Sequence, residues 1–520
     1  MTDRRLSICL INPKLEPSYW GFDYALPLYP GDVRSTMING ALPTVAGLAG
    51  DHHVTILDEN VAAIDFESLT RFDLVGVTGM TVQKARMVEI LDRLRGLGVF
   101  SVVGGPYASV DPRFFAGRYD VLFEGEADTT WPSFLDEFAA GRPHQSIYRQ
   151  DEPTDLSTLP LPRVDLVDAA RYASGAVQFS RGCPFTCEFC DIIVTNGRIP
   201  RTKRPDQVIA ELEDMRRAGF RHVFVVDDNF IGHIPEARAL LTRIISWQEE
   251  HDYPVRLSTE ASINLADDRE LPELMHRANF RHVFIGIETP RHASLVESKK
   301  LQNVRGDSMD AKLARLRAAG LDVHGGFIVG FDHDDAEVFD EQYDFIQRNG
   351  IQLAMVGMLT AIPSTPLFER LRSEDRLVED DPNCNIVPKL MTRDELRRRY
   401  WDLVERVYEP SAFLDRVLAG YRDPAYRDRR AALSRRTTRG RWKRRALGIA
   451  LMWALFRSLA SAGRLKQVGG VYARYLLTRN RRAGTSVGLT QFMGRLAEHW
   501  HLYRFTQDGK EGRLRLFNSG

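Results

Sequence analysis

Three of the five cysteines of this chain, Cys183, Cys187 and Cys190, fall within eight residues at C-x3-C-x2-C spacing. Sulfurs packed this closely on one short loop suit three chemistries. A disulfide framework needs even pairing and an oxidising compartment, and the apolar run at residues 6–11 is too short for an export signal. Zinc normally takes four protein ligands, or three with a nearby His or carboxylate, usually from two paired knuckles. Three thiolates can also hold three irons of a [4Fe–4S] cluster and leave the fourth iron open to a small molecule. Cys9 and Cys384 lie far away in sequence and read as a buried strand residue and a loop thiol.

The rest of the chain must position that loop. With 520 residues, two or three domains are expected. Hydrophobic content of 43% and charged content of 27% are those of a globular protein, and the formal net charge of zero gives no case for nucleic acid. Residues 1–145 alternate short aliphatic strands (6–11, 53–57, 74–78, 100–103 and 121–123) with helices, among them 82–97 with Ala85, Val88, Leu91 and Leu94 at helical spacing. That alternation predicts an α/β unit, a doubly wound parallel sheet with ligands beyond the strand ends. There the sequence places Asn12, Asp58, Thr78, the run Gly104, Gly105 and Pro106, and the run Glu124, Gly125 and Glu126. Residues 146–175 are polar and Pro-rich and read as a linker without regular structure.

In 176–375 further strands are expected at 176–179, 222–226, 255–259, 282–287, 323–329 and 354–360, which fits a partial (β/α)6 barrel. The cysteine loop follows the first of them. Polar residues crowd the other strand ends: Asp227, Asp228 and Asn229, then Glu260 and Ser262, then Glu288. Each could instead cap a following helix. His324 reads as a packed or hydrogen-bonded strand residue. Residues 376–520 read as a helical, basic domain. Arg429, Arg430, Arg435, Arg436, Arg439, Arg441, Arg444 and Arg445 precede an apolar stretch at 446–456 that is too short to cross a bilayer, which needs about 20 residues. It predicts either a core helix beside a solvated basic face or a helix resting on an anionic membrane surface.

The cysteine triplet, with aromatic Phe189 before the last cysteine, resembles the cluster loop of the radical S-adenosylmethionine (SAM) enzymes. The resemblance implies a [4Fe–4S] cluster on Cys183, Cys187 and Cys190 whose open iron chelates SAM and whose electron splits it to a 5′-deoxyadenosyl radical. It also implies SAM contacts from Phe189, Asp227, Asp228, Asn229, Glu260, Ser262 and Glu288, and a reducing partner such as flavodoxin or ferredoxin. Residues 5–140 resemble the cobalamin-binding domain of one branch of the family. Asn12, Asp58, Thr78, Gly104, Gly105, Pro106, Glu124, Gly125 and Glu126 would then face cobalamin. The Asp-x-His-x-x-Gly motif of histidine-ligated cobalamin domains is missing, and His52 and His53 lack its context, so no histidine is expected under the cobalt. Residues 6–410 as a whole are similar to the group that includes hopanoid C-methylases and the anaerobic magnesium-protoporphyrin ester cyclase.

The activity that follows is radical C-methylation of an unactivated carbon in a small-molecule substrate, a lipid or secondary metabolite. Oxidation or cyclisation without methyl transfer, and a non-catalytic sensor of SAM, iron or cobalamin, are the alternatives. The expected setting is cytoplasmic, with membrane contact through the basic C-terminal helices on the cytoplasmic face as the variant.

Overall fold

The computed structural model describes residues 4–378, 384–429 and 441–514. Its first part holds β1 (Ser7–Asn12), β2 (Ser35–Met37), β3 (His53–Asp58), β4 (Leu74–Thr78), β5 (Ser101–Gly104), β6 (Val121–Glu124) and β7 (Ile147–Arg149). All but β2 form one parallel sheet in the order β3-β1-β4-β5-β6-β7. Separate apolar clusters cover its two faces, which is why the strands are aliphatic almost throughout. The winding direction reverses between β1 and β4, so the ligand crevice lies beyond Asn12 and Thr78. The helix Lys84–Gly96 buries Met87, Ile90, Leu91 and Leu94, whereas Ala85 is exposed and Val88 half-buried. The expected stripe therefore holds at Leu91 and Leu94 but not at Ala85 or, fully, at Val88, because an Ala contributes little to choosing the buried face.

The second sheet adds β8 (Tyr172–Val177), β11 (His222–Val225), β12 (Arg256–Ala261), β13 (Phe280–Glu288), β14 (Asp322–Val329) and β15 (Ala354–Met358). Each expected barrel strand is present, and all run parallel in the order β15-β14-β13-β12-β11-β8-β2. The seventh member, β2, comes from the N-terminal part and pairs Ser35 with Tyr172. Tyr19, Ala25, Leu28 and Ile38 likewise pack in the barrel's apolar core. Residues 146–175 are more regular than expected: β7 and the start of β8 flank three short 3-10 turns. Both strands avoid the prolines, so their N–H groups remain available for pairing.

Two residue pairs, β9 (Ser180–Arg181) and β10 (Arg201–Thr202), run antiparallel across the base of the cysteine loop. The C-terminal part is helical, with Arg393–Val407, Pro410–Gly420, Arg441–Ser461, Gly470–Ala483 and Leu489–Lys510. It shares one apolar core with the barrel. The helix Arg393–Val407 covers the barrel's last strand, where Tyr400 Oη donates to Val356 O (3.1 Å) and Tyr408 Oη, just after it, to Ala354 O (2.6 Å). Of the basic run, Arg430, Arg435, Arg436 and Arg439 lie outside the described residues, as do the side chains of Arg441 and Arg444. Among the described residues no helix is long and apolar enough to cross a membrane.

Candidate active site

The cysteine loop leaves the C-terminal end of β8 and is held by groups other than its sulfurs. Gly182 turns it with φ +94°, and a Cβ there would lie 2.9 Å from Ile199 O and 3.1 Å from Gly197 O, so the position requires glycine. Gly182 N donates to Asp228 Oδ2 (2.6 Å). On the far side Glu188 is buried in an ion pair with Arg370 (2.6 Å), while its N donates to Ser298 O (3.1 Å) and its carbonyl accepts from Leu367 N (2.9 Å). All three cysteines are free thiols, which removes the disulfide reading for them. Burial raises the pKa of Cys183 and Cys190, so their thiolates call for a cation in the loop. Two amides supply N–H groups to sulfur: Gln302 Nε2 reaches Cys187 Sγ at 3.5 Å and Asn229 Nδ2 reaches Cys183 Sγ at 3.8 Å. Hydrogen bonds of this kind are a lever on the potential of an iron–sulfur cluster. Among the described residues no three His, Cys, Asp or Glu side chains, the cysteines included, stand gathered in metal-binding geometry.

The strand-end acids gather around this loop but divide in role. Asp227 is buried and positions the loop: it accepts from Phe179 N (2.8 Å), Ser180 N (2.9 Å) and Ser180 Oγ (2.9 Å). Asn229 and Ser262 bond to each other (3.0 Å) beside Cys183. Glu288 has φ +63° at a register shift in β13, and this bulge turns its carboxylate to Lys300 Nζ (2.6 Å). Lys300 in turn stands 5.8 Å from the centroid of the Phe189 ring. Asp228 and Glu260 line the open cavity. Burial, reinforced by Asp228 and Asp227, pushes Glu260 up to about 7. This acid edge suits a cationic group from a ligand.

A pH signature follows for the cluster-free protein. Between about pH 4.5 and 7, folded Glu260 keeps a proton that the unfolded chain has released, so its contribution to stability falls with rising pH by on the order of 2–3 kcal/mol. Glu260→Gln should flatten this stretch of the melting-temperature profile and raise the melting temperature at pH 8. An unchanged slope in the variant would show that another group titrates.

The N-terminal strand ends face the same space. One cavity of about 3250 Å³ is lined by Asn12, Thr78, Gly104, Gly105, Pro106, Gly125 and Glu126 on one side and by Gln178, Arg181, Asp228 and Glu260 on the other. It continues along the first sheet past Leu10, Gly76, Val102 and Phe123, opposite Leu42, Val45 and Trp131. Gly76 belongs to β4, where a Cβ would meet Leu10 at 3.0 Å; at Gly105 (φ +93°) it would meet Thr78 Oγ1 at 2.0 Å. Glycine is thus required at both positions by the neighbouring strand residues, which pack directly against its backbone. Asp58 and Glu124 do not line this cavity. Asp58 is bonded to Asn12 (3.1 Å) and Tyr172 (3.0 Å), and Glu124 pairs with Arg149 (2.5 Å). Glu126 lies at the rim but is engaged across the domain boundary by Arg181 (2.8 Å) and Arg201 (2.9 Å).

Sequence reasoning missed Lys300, Gln302, Arg370 and Arg181. Only Arg181, two residues before Cys183, stood near a readable signal. The others lie beyond any local motif.

The Radical SAM superfamily matches residues 177–346, and a domain of unknown function (DUF4070) matches residues 365–513. An uncharacterized methyltransferase of Synechocystis sp. is 39% identical over 420 residues, covering 78% of this chain and 77% of its own. The hopanoid C-2 methylase of Rhodopseudomonas palustris is 33% identical over 419 residues, covering 80% and 79%. The fold resembles that of the radical SAM methyltransferase TsrM of Kitasatospora setae, solved with cobalamin and a [4Fe–4S] cluster, with a TM-score of 0.62 at 15% identity over 83% of this chain and 99% of that one. Barrel, cysteine loop and matches together define a radical SAM enzyme, with a [4Fe–4S] cluster and SAM as its cofactors. Within that class the chain belongs to the family of radical SAM methyltransferases represented by these two relatives.

Proposed function

We propose that this methyltransferase adds a methyl group to an unactivated carbon of a polycyclic lipid of the hopanoid type, with cobalamin held at the strand ends of the N-terminal sheet. The observation that carries the reading is the single cavity joining those strand ends to the cysteine-loop end of the barrel. A drug-sized ligand needs roughly 300–1,000 Å³, so about 3250 Å³ leaves room for a corrinoid and a large substrate together, with Asp228 and Glu260 at its cysteine-loop end. The hopanoid C-2 methylase supports the substrate class. When bound, the cluster supplies the electron that cleaves SAM, and cobalamin carries the methyl group. The chain's own residues do the positioning. Asp228 and Glu260 receive the SAM ammonium, Lys300 its carboxylate, and Phe189, Asn229, Ser262 and Glu288 the groups nearest the loop. Asn12, Thr78, Gly104, Gly105, Pro106 and Gly125 form the cobalamin cradle. A reduced flavodoxin or ferredoxin delivers the electron.

The test is anaerobic reconstitution with iron, sulfide and cobalamin, followed by SAM, dithionite and a hopanoid extract. Methylated lipid with 5′-deoxyadenosine and S-adenosylhomocysteine is expected. 5′-Deoxyadenosine with oxidised or cyclised lipid and no S-adenosylhomocysteine would replace methyl transfer by radical oxidation or ring closure.

A lipid substrate also gives meaning to the helix Arg441–Ser461. Leu451, Leu455 and Leu459 face the core, while the outward face presents Arg445, Ile449 (48% exposed), Trp453 (72% exposed) and Arg457. An exposed Trp with Arg457 one turn after it and Arg445 about two turns before it suits the headgroup region of an anionic bilayer, and Arg445, Leu447 and Ile449 also line the cavity. We expect the enzyme to sediment with phosphatidylglycerol-containing vesicles and Trp453→Ser to weaken this severalfold. Equal sedimentation of the variant would remove the membrane-facing role.

A further inference from the structure

We infer that the floor of the barrel lumen, built by His222, Ser258, His282 and His324, binds a hydroxyl-bearing end of the substrate and so presents the opposite end to the cysteine loop. This deepens the lipid-methylation reading and rests on it. The four residues stand on the adjacent strands β11, β12, β13 and β14, near their N-terminal ends, and all line the cavity. His222 Nε2 and Ser258 Oγ are 2.9 Å apart. The rings of His282 and His324 stack at 4.9 Å. His282 Nε2 lies 3.4 Å from Asp322 Oδ2, which is itself 3.2 Å from Arg495.

One atom in this layer is unmet: His324 Nε2 is buried and has no hydrogen-bond partner. A polar atom left so costs about 1–3 kcal/mol unless a ligand completes it. Nothing in the cofactor sites uses this layer, which lies far from the loop. His282 and Glu288 are six residues apart on β13, or about 20 Å at roughly 3.3 Å per residue.

The chemistry of the floor selects its ligand. Burial lowers His222 to about 3 and keeps His324 neutral as well. A neutral imidazole has one donor and one acceptor, and serine can both donate and accept. Hydroxyl groups match both roles. An anion would match only donors and would meet the Asp322 carboxylate beneath. Above the floor, Trp20 stands against Phe284 (5.4 Å) and Phe224 (6.2 Å), giving an aromatic collar in the same cavity for an apolar body. Higher still, Gly286 and Gly326 pair across β13 and β14. A Cβ on Gly326 would stand 2.8 Å from the Phe284 ring, so glycine there makes room for this ring of the collar.

Two probes test the assignment: a pentacyclic triterpene hydrocarbon, and the same skeleton with a terminally hydroxylated side chain. Each is equilibrated in detergent with full-length, cluster- and cobalamin-loaded enzyme, and bound lipid is measured by mass spectrometry. The wild type should prefer the hydroxylated probe about tenfold. His324→Leu and Ser258→Ala should lose that preference while binding the hydrocarbon and SAM as before. His324→Gln, which keeps hydrogen-bonding capacity, should retain most of it and reports on folding. Equal binding of the two probes by the wild type, or a preference that survives in His324→Leu, overturns the assignment alone. Binding of neither probe, with SAM still bound, overturns the lipid reading and this assignment with it.

Discussion

Cys187→Ser will remove SAM cleavage to the uncatalysed background and leave a folded protein. The loss is total because the open iron that binds SAM exists only when three sulfurs hold the other three. A serine hydroxyl ionises far less readily than a thiol and is a poor substitute in so buried a loop. The fold survives because the loop's shape depends on other groups. Asp227 fixes Phe179 and Ser180, Asp228 fixes Gly182, and Arg370 fixes Glu188. The variant should therefore unfold within about 1 kcal/mol of the wild type while losing the visible absorption of the cluster and all 5′-deoxyadenosine. Cys384→Ser is the control. Cys384 is buried in the barrel core, away from the loop, and its loss should leave the cluster intact. Retained cleavage in Cys187→Ser would remove the cysteine loop from the chemistry.

The cysteine triplet and the barrel strands could be read from the sequence because their signals are local. Three sulfurs on one loop, or five aliphatic residues before a Gly or Asp, need no partner elsewhere to be recognised. What escaped reading depends on contacts between distant parts of the chain. Glu288 was visible at a strand end, but its ion pair needs Lys300, brought in by the turn after the helix His292–Glu297. Glu188, between two cysteines, carries no local signal, yet it meets Arg370, 182 residues on. The strand β2 is three residues long and half-buried, below any periodicity signal, and forms only because β8 offers an edge. Trp20 sat in an irregular stretch with no pattern, and only the folded barrel shows that it enters the lumen. His324 was read as a packed or hydrogen-bonded strand residue. Packing accounts for its ring against His282 but not for its unmet nitrogen.

Arg181→Met should separate the two half-reactions. Arg181 links the cysteine loop to the N-terminal sheet, pairing with Glu126 (2.8 Å) and Asp128 (2.5 Å), while Arg201 supports Glu126 from β10. Burial pushes both carboxyls up, but Arg201 and Arg181 outweigh it and hold them below the usual carboxylate range. A carboxyl depressed in the folded state stabilises above its unfolded pKa, about 4, and loses that contribution as pH falls. The variant should therefore be less stable than the wild type by about 3 kcal/mol at neutral pH, since two buried acids lose their shared cation. The difference should shrink as pH falls below 4 through the depressed range of the two acids, and disappear once they are neutral in either protein. The functional effect is more specific. The proposed SAM site lies on the loop side of this bridge and the proposed cobalamin cradle on the other, so loosening it changes their separation without touching the cysteines. A misplacement of about 1 Å can cost a hundredfold in rate. Methylated product per 5′-deoxyadenosine should therefore fall at least tenfold while cleavage itself continues. Asp128→Asn, which weakens one arm and leaves Glu126 paired, should fall between the two. If cleavage and methylation decline together in Arg181→Met, the bridge serves only to hold the fold, and the alignment of the two cofactor sites must come from the loop after β15, where Ser364 Oγ donates to Val110 O of the N-terminal domain (3.2 Å).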